Sequence, residues 1–253
     1  MGKAYGEGGR GTVAAVPDGV GRPTQGYAGR VYVPDHFSLT ADQTREVLSH
    51  PRAANLVTHH ASGLQATLSP FFHVDRGGEL GTLVTHLVRN NPQVCEPVDG
   101  DALVIVDVAD AYISPTWYPT NADLANVPTW DYITVHAWGE LTVHEDPGWT
   151  LRAARDLAGR FEPGAVLEAV GEERLARMAR AIVGVEVRLT RVVGKAKMSQ
   201  NRHPSDVQGV ADALGDHEEL AAFLREVSLP YAERRHQLLA DLRETKGRAR
   251  RPG

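Results

Sequence analysis

Apolar residues recur along this chain with two different periods, and the change from one to the other divides it. Between residues 53 and 193 apolar and polar positions alternate in short runs bounded by turn residues, the period of half-buried strands. The runs predict strands over Ala53–His60, Leu64–Val74, Leu80–Leu87, Ala102–Ile113, Tyr132–Glu145 and Ile182–Val193. Leu103-Val104-Ile105-Val106 has the pattern of a buried strand, and Val183, Val185, Val187, Leu189 and Val192 keep one face of the last run. Ala61-Ser62-Gly63 is a connection of hairpin length. Six strands with short turns point to an antiparallel barrel. Thr40 is placed to N-cap a helix running to Ser49, with Asp42 in its first turn and Pro51 ending it. Gly148–Phe161 and Glu172–Ala181 read as helices expected across the barrel openings. From Ser205 the spacing becomes helical: Val207, Val210, Ala211 and Leu214, then Leu220, Phe223, Leu224 and Val227.

Three parts follow from this division: a Gly-rich flexible extension over 1–28, a β-barrel domain over 29–203, and a helical tail over 204–253 with a basic end. The glycines at Gly6, Gly8, Gly9 and Gly11 match neither nucleotide-loop spacing, since no strand precedes them and no helix follows. The formal charge of −5 argues against broad binding to a phosphate backbone. From Glu233 to Gly253 seven Lys and Arg face three acids, so this end is the route to DNA if there is one. One cysteine, Cys95, excludes an internal disulfide framework and a cysteine-rich zinc site. It suits a reducing cytoplasm. No apolar run reaches membrane-spanning length, and the N-terminus lacks the apolar segment of a secretory signal.

Three clusters carry candidate chemistry. Three of the four tryptophans and three of the seven tyrosines lie between Tyr112 and Trp138, broken by Ser, Thr and Pro. Such a run suits a rigid surface for a flat ligand, and equally a subunit interface or a core corner. Gly194–Arg202 brings together Lys195, Lys197, Ser199, Gln200, Asn201 and Arg202, the cations and neutral donors that a phosphate needs; a solvated turn would look similar. Thr85–Pro92 places His86, Arg89 and Asn90 near a strand end, to grip a phosphate or to sit in the barrel wall. His59 and His60 are adjacent, so in a strand they face opposite ways and cannot share one metal. Either alone could be an axial haem ligand.

The motifs resemble, in order, the PaiB-type proteins, the FMN-binding negative transcriptional regulators. The likeness runs from Tyr32-Val33-Pro34-Asp35-His36-Phe37 through Gly63–Thr67, His86–Pro92, Ala111–Tyr118 and Val127–Tyr132 to Gly194–Arg202. The resemblance implies an FMN-binding split β-barrel, mainly β with flanking helices, that forms a homodimer with the flavin at its interface. It implies phosphate contacts from Arg89, Asn90, Lys197, Ser199, Gln200 and Arg202. Thr67, Ser114, Trp117 and Trp130 would line the ring and ribityl chain, and His86 and His136 would serve as hydrogen-bonding groups. The expected functions are negative regulation of transcription or flavin-dependent oxidoreduction on a small molecule. Where the family reads Ala-Thr-His-Leu-Pro-Phe, this chain has Leu68 in place of the histidine. Two alternatives follow from that departure. One is an enzyme of specialised metabolism resembling the piperazate synthases, which form an N–N bond, holding haem b through His59 or His60. The other is a cofactor-free dimeric binding module.

Overall fold

The computed structural model describes residues 31–215 and 217–249. The expected flexible extension over 1–28, and the basic residues beyond 249, lie outside the described residues. All the elements named below belong to the compact unit that begins at Val33.

Six strands form a closed antiparallel barrel: β1 (Arg52–His60), β2 (Gly63–Val74), β3 (Thr82–Val88), β4 (Ala102–Ile113), β5 (Thr129–His144) and β6 (Ile182–Lys197), in the order β1-β2-β3-β6-β5-β4. The period of two sets their faces. In β1, Leu56, Thr58 and His60 are buried, whereas Asn55, Val57 and His59 face out. In β6, Val183, Val185, Val187 and Leu189 point into the core. His60 pairs with Gly63 across a turn of Ala61 and Ser62, and Gly63 holds φ +111°, a conformation glycine adopts at little cost.

Two strands run past their expected ends. β5 begins at Thr129 and takes in Trp130 and Asp131. β6 continues to Lys197 and takes in Gly194, Lys195 and Ala196, so what resembled a turn is strand. β3 accompanies β6 only from Ile182 to Arg188. Past that point β6 pairs with β5 on one side, and Ser38 and Leu39 bridge to Lys195 and Gly194 on the other. The helix α1 (Ala41–Ser49) follows directly. Thr40 caps it, with Gln43 closing a capping box. A Cβ on Gly194 would meet Thr44 Oγ1 at 2.6 Å and Leu39 Cβ at 2.8 Å; glycine there lets the helix seat itself in the split.

The short α2 (Pro92–Cys95) brings Gln93 under the β1–β2 end, where its amide donates to the Leu56 carbonyl and Thr58 Oγ1. The helix α3 (Pro147–Ala158) does not span an opening as expected. Its Ala153 and Leu157 cover Phe72 and Val84 on the outside of β2 and β3. Val84 faces out of the barrel there and needs an apolar cover. Two short helices follow, α4 (Gly164–Val170), absent from the sequence reading, and α5 (Glu172–Ala179). The C-terminal region is α6 (Pro204–Ala213), α7 (Glu218–Phe223), a π-helical turn over Leu224–Ser228, and α8 (Leu229–Ala249). Val207, Val210, Leu220 and Leu224 belong to the same apolar core as Leu56, Val104 and Val135. Among the described residues no helix is long and apolar enough to cross a membrane.

Candidate functional site

Asp131, Ile133, Val135 and Ala137 are the buried positions of β5, so the alternate residues Trp130, Tyr132, Thr134, His136 and Trp138 stand on its outer face. The β5–β6 register sets Lys197 opposite Tyr132, Lys195 opposite Thr134, and Arg191 opposite Trp138. The Arg191 guanidinium lies 3.6 Å from the Trp138 ring centroid, and the Lys195 ammonium 5.3 Å from that of Tyr132, both within cation–π range. On the other side β4 places Tyr112 edge-on to Trp130, with centroids 6.1 Å apart. Asp107 accepts from Thr134 Oγ1 at 2.7 Å. The β4 strand bulges between Asp107 and Ala109, and a cleft of about 370 Å³ opens there, lined by Asp107, Asp110, Trp130, Tyr132, Thr134 and His136. Aromatic faces, one carboxylate wall and a row of cations are the chemistry of a site for a flat ring carrying an anionic tail. His136 packs edge-on to Trp138 at 5.9 Å. Burial holds its pKa below 6.5, with Lys195 adding to that and Asp107 opposing. The ring is therefore neutral at neutral pH, able to donate one hydrogen bond and accept another.

The Gly194–Arg202 cluster separates into outward and inward halves. Lys197 donates to Thr129 Oγ1 at 2.7 Å and to the Trp130 carbonyl, and lies 3.7 Å from Asp131 Oδ1. Two of its three N–H groups are thus hydrogen-bonded within the protein. The Lys195 ammonium, by contrast, lies over the Tyr132 ring and close enough to His136 to act on it, with no hydrogen bond or carboxylate ion pair among the described residues, which makes it the ammonium best placed for an incoming anion. Asp131 is fully buried, and its Oδ2 accepts from Ser199 Oγ at 2.7 Å. Burial raises its pKa, against the pull of Ser199, Lys197 and Arg202. Its Oδ1 and the nearby Tyr118 hydroxyl both lack a hydrogen bond. Ser199 itself holds φ 58°, the left-handed region. Gln200 is buried between the Met198 N–H (2.8 Å) and the Ala196 carbonyl (2.7 Å). Arg202 stacks 4.7 Å over Tyr118 and donates to Asn126. Ser199, Gln200 and Arg202 thus brace the turn beneath the face rather than present donors on it.

The remaining predicted residues are dispersed. Arg89 donates to the carbonyls of Arg180, Glu145 and Ile182. Ile182 begins the 16-residue β6 that Lys197 ends, a path on the order of 50 Å. Within one chain Arg89 and Lys197 cannot hold the same phosphate, and the guanidinium is occupied by backbone. Asn90 is exposed in the turn after β3. His86 sits half-buried on β3, where burial lowers its pKa. Thr67 accepts from Asn91 Nδ2 at 3.1 Å. Ser114 bonds Thr116, and Trp117 packs against the apolar core. Of the predicted residues, Trp130, His136 and Lys197 alone meet on one face. Lys195, Arg191, Tyr132, Thr134 and Trp138 were not selected; stepping back by two from Lys197 along an unbroken strand would have found both cations.

Of the two haem candidates, the buried His60 does not fit. His60 is 1% exposed. Its Nδ1 pairs with the Pro97 carbonyl at 3.0 Å, which fixes that nitrogen as the donor, and its Nε2 accepts from Thr58 Oγ1 at 2.7 Å. No nitrogen is left for iron. His59 lies on the outer face, tied to Asp99 at 3.2 Å.

The profile of a family described as "Putative FMN-binding domain" matches residues 31–191. Among curated proteins the chain is 26% identical over 197 residues to the protease synthase and sporulation protein PAI 2 of Bacillus subtilis, covering 74% of this chain and 91% of that protein. It is 27% identical over 154 residues to an uncharacterized protein of Saccharomyces cerevisiae, covering 52% and 90%. Among solved structures the flavocytochrome Anf3 of Azotobacter vinelandii superposes with a TM-score of 0.49 at 12% identity, covering 62% of this chain and 67% of that one. The FAD- and haem-binding protein of Mycobacterium smegmatis gives 0.46 at 16% identity, covering 64% and 73%. Neither superposition decides a cofactor.

Proposed function

The chain belongs to this family of FMN-binding domains, and from that premise we propose that it binds FMN on the outer face of β4, β5 and β6 and works as a flavin-dependent oxidoreductase. The single observation that carries the reading is the pairing of Lys195 and Lys197 with the aromatic column of β5 beside the cleft. Lys195 would take the phosphate, with Lys197 close by. Trp130, Tyr132 and His136 would bound the ring, and the flavin would supply hydride or single-electron transfer when bound. A purely cofactor-free module would have no use for a row of cations set among aromatic rings. A negative regulator of transcription needs a cationic DNA face, and with a formal charge of −5 this chain is better suited to small-molecule redox chemistry.

The working unit of this reading is a homodimer. Leu64 and Leu68 stand 75% and 65% exposed on the outside of β2, and the register carries that face onward. Leu68 pairs with Asn55, Asn55 with Ile105, and Ile105 with His136. One transverse row thus joins the apolar β2 wall to the proposed flavin face. Exposed leucines grouped on one sheet face are an interface signature, and a second copy seated on them would close the flavin cleft from above. The replacement of the family histidine by Leu68 then serves the subunit contact.

Titration of the protein with FMN, followed by quenching of flavin fluorescence, tests the reading. Lys195→Ala should weaken binding by about 10- to 100-fold, the worth of one charge-assisted bond. NADH or NADPH oxidation by the FMN-loaded protein would then establish the redox output. Equal affinity in the wild type and the Lys195→Ala variant would remove the phosphate from this face.

A further inference from the structure

The helix α8 has 21 residues, but its packing ends at Ala232. From Glu233 to Lys246 every residue is exposed except the half-buried Ala240. This arm carries Leu238 (60% exposed), Leu239 and Leu242 (49%). At 100° per residue these three leucines share one side, with Arg235 and Lys246 among them and Arg234 and Arg243 flanking, while Glu233 and Glu244 fall on the far side. A helix of this length with nothing packed on it is marginal in water, and leucines in a row are a face that wants a cover. Arg235 donates to the Asn201 carbonyl and His236 meets His203 edge-on at 4.6 Å. These contacts anchor the root of the arm and leave the leucines beyond it bare.

The same chain carries a groove of complementary character. Between α1, the α7–π turn and the β4 bulge lies a trough of about 550 Å³. Its floor is apolar, from Val47, Val108 and Phe223, and its rim holds Asp42, Glu46, Glu219 and Glu226. Asp42 is shared with Arg45 at 3.2 Å and Glu46 with His50 at 3.7 Å. No lysine or arginine lines the trough, and no residue of α8 enters it. An apolar floor with a carboxylate rim matches, feature for feature, a leucine stripe flanked by cations.

We propose that α8 is an exchanged arm: its leucine face docks in the trough of a second copy of this chain, with Arg234, Arg243 and Lys246 against the partner's acidic rim. With groove and arm both present on each copy, a reciprocal exchange about a two-fold axis closes as a dimer. The cations of the C-terminal end are then spent on protein rather than on nucleic acid. The inference needs two copies but no flavin.

Cysteine trapping in the full chain, with Cys95 replaced by Ser, reads the contact. A Val47→Cys chain is mixed with a differently tagged Leu242→Cys chain under mild oxidation. The expected product is a disulfide-linked species of doubled mass carrying both tags. Placing both cysteines in one chain should still give doubled mass; a crosslink at monomer mass would mean the arm folds onto its own trough and would overturn the proposal. In sedimentation, Glu46→Lys with Glu226→Lys should raise the dimer dissociation constant at least tenfold, and Arg234→Glu with Arg243→Glu should restore it. Absence of the crosslink together with loss of duplex-DNA binding on the arginine replacements would also overturn it, assigning the arm to nucleic acid. The flavin reading is judged separately, since FMN affinity of the Lys195→Ala variant does not depend on the arm.

Discussion

A lysine that faces solvent and a carboxylate that does not are held together at the end of β6, and their unequal burial shapes the site. Asp131 is nearly inaccessible, whereas the Lys197 side chain keeps 28% of its surface. Removing the cation strands the charge. Lys197→Met should therefore cost about 1–3 kcal/mol of unfolding free energy, the usual penalty for an unpaired buried group. Asp131→Asn in the same chain should recover most of it, because the amide still accepts from Ser199 and carries no charge. A denaturant double-mutant cycle checks both, and additive losses would show that the two groups are not coupled. His86 and His136 make a pH prediction. Burial lowers both pKa values below 6.5, so the unfolded chain binds more protons than the folded one between the lowered values and 6.5. Stability is then full above 6.5 and falls as the pH drops through that window. Unfolding at pH 7.5 and 5.5 should show the loss, reduced in a His86→Gln, His136→Gln variant. At this scale three of the residues picked from the sequence, Trp130, His136 and Lys197, come together on one face of the folded chain. The sequence could not show that Ser199 and Arg202 turn inward, because their partners, Asp131 for the one and Tyr118 with Asn126 for the other, lie 68 or more residues away along the chain.

Elements were more legible than residues, since periodicity averages over many side chains. All six strands and α1 fall within a few residues of their expected positions, down to the Thr40 cap. The misreadings share a cause. Gly194 looked like a strand end, yet it is a close-packing position under α1, and the two lysines that follow are strand residues because an outward face tolerates charge. The placement of α3 was misjudged because outward-facing Val84 and Phe72 reveal their need for a cover only once the barrel is closed. Trp149 of α3 stacks on His144, with ring centroids 3.9 Å apart, and lies over Gly184, where a Cβ would come within 2.0 Å of its ring. Gly184→Ala should therefore displace α3 and destabilise the protein by about 1–3 kcal/mol. Thermal unfolding measures this, and Trp149→Leu in the same chain should relieve part of the loss.

At the scale of the molecule, three groups of exposed apolar side chains stand out: Leu64 and Leu68 on β2, Tyr112 with Trp130, and Leu238, Leu239 and Leu242 on the α8 arm. Burial of such surfaces between copies is what the proposed dimer would draw on. Leu68→Arg would set a charge in the middle of the proposed sheet contact, and sedimentation should show the dimer dissociation constant rising at least tenfold with the fold intact by circular dichroism. The resemblance implies a homodimer, but which surface would carry the contact is not legible in the sequence, because outward leucines become visible only when the register fixes which side of β2 is out. The central claim is that the β4–β5–β6 face holds FMN, and the most direct measurement is the dissociation constant of FMN for the wild type and for Lys195→Ala at one ionic strength. Saturable binding by the wild type, weakened 10-fold or more by the substitution, is the predicted result. Binding that is undetectable, or unchanged when Lys195 is lost, would contradict it.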